Sequence, residues 1–166
     1  MPPASSFDVT STVDLQEVDN AVNQARKEVA QRYDFKGSHA AIEFSKTENT
    51  LTLVAGDTLK MDALWEILQT RLVRRNVPVK NMKLGEIEPA ASSTLRRSIT
   101  LQQGIPSDTA RDIVKYLKDL KLKKVQAAIQ GDQLRISSAS KDELQDAIRL
   151  LRDHDFGVAL QFGNYR

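Results

Sequence analysis

The sequence predicts an α+β protein made of two βαββαβ units, each an antiparallel sheet with two helices on one face. Three observations predict it. Short stretches of period-two apolar alternation are interleaved with stretches of helical periodicity, the same order of elements occurs twice in 166 residues, and a small, polar, proline-containing connection at residues 88–94 separates the two runs.

In the first run, Phe7, Val9 and Ser11 alternate with Asp8 and Thr10, the pattern of a half-buried strand. Leu15, Val18, Val22, Ala25 and Val29 then recur at steps of three and four, so a helix follows and ends near Arg32, with Asp14 and Glu17 placed as a capping box. Ile42 and Phe44, a polar turn at residues 47–49, and Leu51 and Leu53 read as a hairpin. Leu64, Ile67, Leu68 and Leu72 mark a second helix, and a strand containing Met82 and Leu84 precedes Pro89. The second run repeats this grammar. Residues 98–101 form a strand, Ile113, Val114, Leu117 and Leu120 lie on a helix that starts at Ser107 or Asp108, and residues 125–129 form the next strand. Gly131-Asp132 makes a tight turn into Leu134 and Ile136. Ser140 with Glu143 caps a last helix carrying Leu144, Ala147, Ile148 and Leu151, and Val158, Leu160 and Phe162 alternate as the final strand. Asp62 to Leu68 lies over Asp142 to Ile148 with apolar residues in the same places. Right-handed crossovers and short connections arrange βαββαβ as the ferredoxin-like unit.

The chemistry available to this chain is narrow. It has no cysteine, which excludes disulfides, thiolate nucleophiles and Cys-ligated metal and fits a reducing cytoplasm; no stretch approaches the roughly 18 apolar residues of a membrane span. Its two histidines, His39 and His154, lie far apart and outside any metal motif, and none of the seven glycines belongs to a phosphate-cradling loop. The carboxylates of the last helix are spaced with Lys141, Arg149 and Arg152 as a solvated face of ion pairs. These residues predict a protein that binds rather than catalyses, with no metal and no cofactor.

Charge points to what it binds. The net charge is only +2, but residues 111–135 hold seven basic side chains against three acidic ones. Lys123, Lys124, Arg135 and Lys141 cluster around one hairpin and one helix start, where several donors gather about a phosphate. Arg71 and Arg75 form an Arg-x-x-x-Arg pair of the kind seen in receptors for cyclic di-guanylate, a spacing that also arises by accident. The central strands carry no pair of exposed aromatics on which RNA bases stack. The rival reading is a protein-interaction adaptor whose lysines are merely solvated.

Blocks spread along the chain resemble the YajQ family of bacterial nucleotide-binding proteins: Ser6-Phe7-Asp8-Val9, Arg32-Tyr33-Asp34-Phe35-Lys36-Gly37, Val125-Gln126-Ala127-Ala128-Ile129-Gln130-Gly131-Asp132, and Leu160 to Arg166. The resemblance implies two ferredoxin-like domains that exchange their first strands, so that residues near 6–13 pair in the second sheet and residues near 96–103 in the first. The domains would then be residues 14–104, and residues 1–13 with 105–166, although the repeats themselves run 1–90 and 94–166. It further implies a non-enzymatic cytoplasmic protein that binds nucleotide (cyclic di-GMP, GTP or ATP) and nucleic acid, tRNA included, with a protein partner in transcriptional control, and it adds Arg32, Phe35 and Lys36 to the candidate site. The chain departs from the family pattern after the seventh strand, where Ala139 and Lys141 replace a basic residue and an arginine.

Overall fold

The computed structural model describes residues 4–122 and 124–166, and Lys123, one of the candidate phosphate ligands, lies outside them. Among the described residues eight strands and four α-helices run β1 (Ser5–Thr10), α1 (Leu15–Gln31), β2 (Ala41–Ser45), β3 (Thr50–Ala55), α2 (Thr58–Arg74), β4 (Met82–Pro89), β5 (Leu95–Leu101), α3 (Ser107–Asp119), β6 (Val125–Gln130), β7 (Gln133–Ser138), α4 (Lys141–Asp153) and β8 (Gln161–Gly163). They form two four-stranded antiparallel sheets, ordered β2-β3-β5-β4 and β6-β7-β1-β8. Each repeat's first strand is therefore a central strand of the other repeat's sheet, and the two units have the ferredoxin-like order with first strands exchanged. The chain divides into Val13–Gln102 and, as a second unit, the residues up to Thr12 together with Gln103–Arg166.

In the Val13–Gln102 unit, α1 begins where the Asp14 carboxylate accepts hydrogen bonds from the Gln16 and Glu17 amides, and α2 where Asp57 accepts one from Lys60 N at 2.8 Å. Only half of the expected box at α1 forms, because Glu17 turns instead to Asn20 and Arg75. The buried stripe Val18, Ala21, Val22 and Ala25 of α1 packs with Leu64 and Leu68 of α2 on Leu51, Leu53 and Ile99 of the sheet. β4 runs on through Pro89, further than its apolar pattern suggests, and shifts register between Leu84 and Ile87. The connection after it turns tightly at Ala91–Ser93, where Ser92 and Ser93 adopt left-handed backbone at φ +58° and +60°.

In the other unit, Phe7 and Val9 of β1 face Ile136 and Leu134 of β7 across the sheet. With Ile113 of α3 and Leu151 of α4 they are fully buried. Ser140 caps α4 by accepting from Glu143 N at 3.3 Å. Gly131, at φ +65°, makes the tight turn of the β6–β7 hairpin, where a side chain would be strained. The last strand is only Gln161–Gly163: Val158 is buried and Leu160 packs on the core without joining the sheet. No helix among the described residues is long and apolar enough to cross a membrane.

Candidate functional site

The strand period assigns the two faces of the β6-β7-β1-β8 sheet. Phe7, Val9, Leu134 and Ile136 point to the helices, so Asp8, Arg135, Ser6 and Ser137, which stand opposite one another in the register, share the uncovered face. Gln126 and Ala128 of β6 extend it on one side. Amides and hydroxyls dominate this face, and its four strands place no aromatic side chain on it, since Phe7 and Phe162 meet edge-on at 5.9 Å on the helix side.

Asp8 organises the face. Its side chain is only 10% exposed, and it accepts Arg135 Nε at 3.0 Å and Asn164 Nδ2 at 2.6 Å. Asn164 reaches it because its backbone adopts φ +52° just beyond β8, after which Arg166 and Ser6 exchange backbone hydrogen bonds. The Arg135 hydrogen bond first, and that of Asn164 next, hold the Asp8 carboxyl below its ordinary value against the opposing effect of burial; the same contact raises the Arg135 guanidinium. Taking Nε in this bond fixes the plane of the guanidinium. Among the described residues its two terminal nitrogens make no hydrogen bond, and the side chain is 31% exposed.

Lys124 and Lys141 are exposed at one end of the same sheet, just before β6 and just after β7, where Val125 pairs with Ser138. Arg135 lies three residues in from that end, about 10 Å along the strand. Among the described residues neither lysine forms an ion pair. Three cations, one held by Asp8 and two exposed, thus border a polar face of one unit.

The remaining candidates fall in the Val13–Gln102 unit and separate into different environments. Arg71 donates twice to Glu28, at 2.8 and 3.1 Å, and Arg75 donates to Glu17 at 3.1 Å and Gln24 at 3.2 Å, so this arginine pair ties α2 to α1. Arg32 grips Asp34 through two hydrogen bonds of 2.8 and 3.0 Å and stands 5.5 Å over the buried Phe35 ring. Lys36 is exposed on the wall of a cavity of about 470 Å³ between α1 and β2, which Arg26 and Phe35 also line. Among the described residues no three His, Asp or Glu side chains converge as a metal would require.

Sequence reasoning did not select Asp8 or Asn164. A signal existed for the first, because aspartate is disfavoured in a central strand and Asp8 sits between the two residues that anchor β1 in the core. Protonating Asp8 removes the acceptor for Arg135, which gives a testable sign. A carboxyl whose folded value is depressed contributes stability that is complete above its unfolded value, about 3.9, and disappears as the pH falls through the folded value. Asp8→Asn is expected to flatten the acid limb of a plot of melting temperature against pH below about 4. Asp34, lowered by Arg32, retains part of the slope. An unchanged acid limb in the variant would show that the contact contributes nothing.

Residues 5–166 match the family model described as nucleotide-binding protein YajQ-like. Curated relatives extend over the same length. A nucleotide-binding protein of Solibacter usitatus is 53% identical over 164 residues, 99% of this chain and 98% of its own. One of Koribacter versatilis is 48% identical over 162 residues, 98% of this chain and 97% of its own. A third, of Chloroherpeton thalassium, is 43% identical over the full length of both.

Proposed function

Since the chain belongs to the YajQ-like family, we propose that it binds a nucleotide on the uncovered face of the β6-β7-β1-β8 sheet, with Arg135 as the anchor. The observation that carries this reading is the Asp8–Arg135–Asn164 arrangement. A carboxylate that occupies Nε presents the other two nitrogens as a preset fork, and such a fork fits two oxygens of a phosphate or the O6 and N7 of a guanine. Lys124 and Lys141 supply further charge at the sheet's end for a second phosphate. The amide side chains beside Arg135 suit base edges.

A polar face without aromatics favours a compact guanine nucleotide over a run of single-stranded RNA, whose affinity for such sheets rests on stacking. Cyclic di-GMP, with two phosphates and two guanines, is the ligand that uses the most of this face, ahead of GTP and ATP; tRNA would add only salt-sensitive contacts to the lysines. The protein acts by binding, as a cytoplasmic effector in regulation, and transforms nothing.

Titration of cyclic di-GMP, GTP, ATP and a short RNA at low and high salt tests this. Arg135→Gln is expected to weaken the preferred nucleotide by at least about tenfold, equivalent to 1.4 kcal/mol. Lys124→Ala and Lys141→Ala together should chiefly reduce the salt dependence. Absence of affinity for any nucleotide at low salt, or the same affinity in Arg135→Gln, would overturn the assignment.

A further inference from the structure

A sheet edge is a row of unpaired N–H and C=O groups, and folded proteins normally spoil it as a template. Three of the four edges here are spoiled. Along β2, Arg26 donates through Nε and Nη2 to the Ile42 carbonyl at 2.9 and 2.6 Å, and Glu43 adds a charge to the strand. The register of β4 shifts between Leu84 and Ile87, and the strand ends in Pro89, which has no N–H to donate. β8 has only three residues and stops at the left-handed Asn164.

β6 carries none of these devices. Its six residues, Val-Gln-Ala-Ala-Ile-Gln, hold no charge, no proline and no glycine, and they pair with β7 in unbroken register. Its apolar side chains are not fully covered either, with Ile129 at 48% exposure. Between this strand and α3 runs a groove of about 610 Å³ lined by Val114, Leu117, Leu122, Val125 and Ala127. Lys118 and Lys121 also line it, and both are exposed with no side-chain partner among the described residues. At the corresponding place beside β2, Arg26 of α1 closes the edge; Lys118 of α3 leaves it open.

We propose that β6 is a docking edge for an extended peptide of alternating apolar and acidic residues, which adds a fifth strand to the sheet. Main-chain hydrogen bonds to the edge beyond Val125, whose own amide already donates to the Leu122 carbonyl at 3.1 Å, would hold it, every second side chain would enter the α3–β6 groove, and carboxylates would meet Lys118 and Lys121. Charge decides the occupant. A second copy pairing through the same edge would bring its own lysines against these, whereas an acidic strand is attracted to them.

The test uses the full chain and two short labelled peptides, one alternating valine with glutamate and the other valine with lysine. Fluorescence anisotropy is expected to show the glutamate peptide binding at least about tenfold more tightly at low salt, with the difference shrinking as salt screens it. Lys118→Glu with Lys121→Glu should reverse the preference; both sites are exposed, and an unchanged circular dichroism spectrum checks that the variant keeps its fold with Lys118 gone from the last turn of α3. Hydrogen exchange should slow at amides within Val125–Gln130 when the peptide is bound. Equal affinity for both peptides, a preference that survives the charge reversal, or protection that falls on other strands would each overturn the proposal. Concentration-dependent dimerisation that protects β6 and shuts out both peptides would overturn it too, by naming a second copy as the occupant.

Discussion

Residues 13–102 expressed alone are expected to unfold in a cooperative transition, while residues 1–93, which hold the whole first repeat, are not expected to fold. The reason is the order β2-β3-β5-β4, in which β5 pairs with β3 on one side and β4 on the other. Cutting at the repeat boundary removes β5, strands β4 from its sheet, and deletes Ile99 and Leu101 from the core. Burying such a side chain stabilises by about 1.5–3 kcal/mol. Two of them therefore approach the whole stability of a small domain, about 5–15 kcal/mol, before the lost ladder is counted. The fragment 1–93 would also carry β1, whose partners β7 and β8 it lacks, as an unpaired apolar strand. Thermal or urea unfolding followed by circular dichroism distinguishes the cases. A cooperative transition in 1–93, or none in 13–102, would show that the exchanged strands are not what completes each unit.

Gly104→Ala should lower stability by about 2–5 kcal/mol, from two independent causes. Gly104 sits at φ +82° where the chain leaves β5 for α3, and a left-handed conformation costs an alanine about 1–2 kcal/mol. A methyl group there would also lie 2.6 Å from Asp132 Cβ and 2.8 Å from its Cγ. Neither side gives way easily. The Gly104 amide donates to the Ser11 carbonyl at 2.6 Å, and the Asp132 carbonyl accepts from Ile105 N at 2.8 Å, so overpacking adds about 1–3 kcal/mol. A fall in melting temperature on the order of 10 °C follows. Gly131→Ala is the internal control, because its φ is +65° but nothing lies within 4 Å of the added carbon. Equal losses in the two variants would assign the whole effect to backbone strain.

What the sequence disclosed and what it hid divide by distance along the chain. The turn at Gly131-Asp132, the Ser140 cap and the stripes of α3 and α4 depend on neighbours within a few residues, and periodicity reveals them directly. β8 is shorter than its alternation promises because alternation at Val158 and Leu160 records burial, and burial does not require a hydrogen-bonded neighbour. The strand exchange came from family resemblance; nothing in the local pattern of Phe7 and Val9 says which sheet they join.

The site was less open to reading for the same reason. Lys124, Arg135 and Lys141 attract notice as a cluster of charge within one hairpin and helix start. The feature that gives Arg135 a direction is a carboxylate on a strand made near the other end of the chain. Arg71 and Arg75 show the converse. Their spacing suggests a ligand, but Glu28, Gln24 and Glu17 on the neighbouring helix already engage them.

β1 is synthesised before the whole Val13–Gln102 unit, yet it must lie between two strands that are made after that unit, β7 and β8. Every residue of the Val13–Gln102 unit is synthesised while that strand waits without a neighbour. Contacts that close so long a loop form slowly, so the unit holding the candidate nucleotide face should be the later of the two to mature. Until then β1 is a bare apolar strand of the kind that chaperones shield.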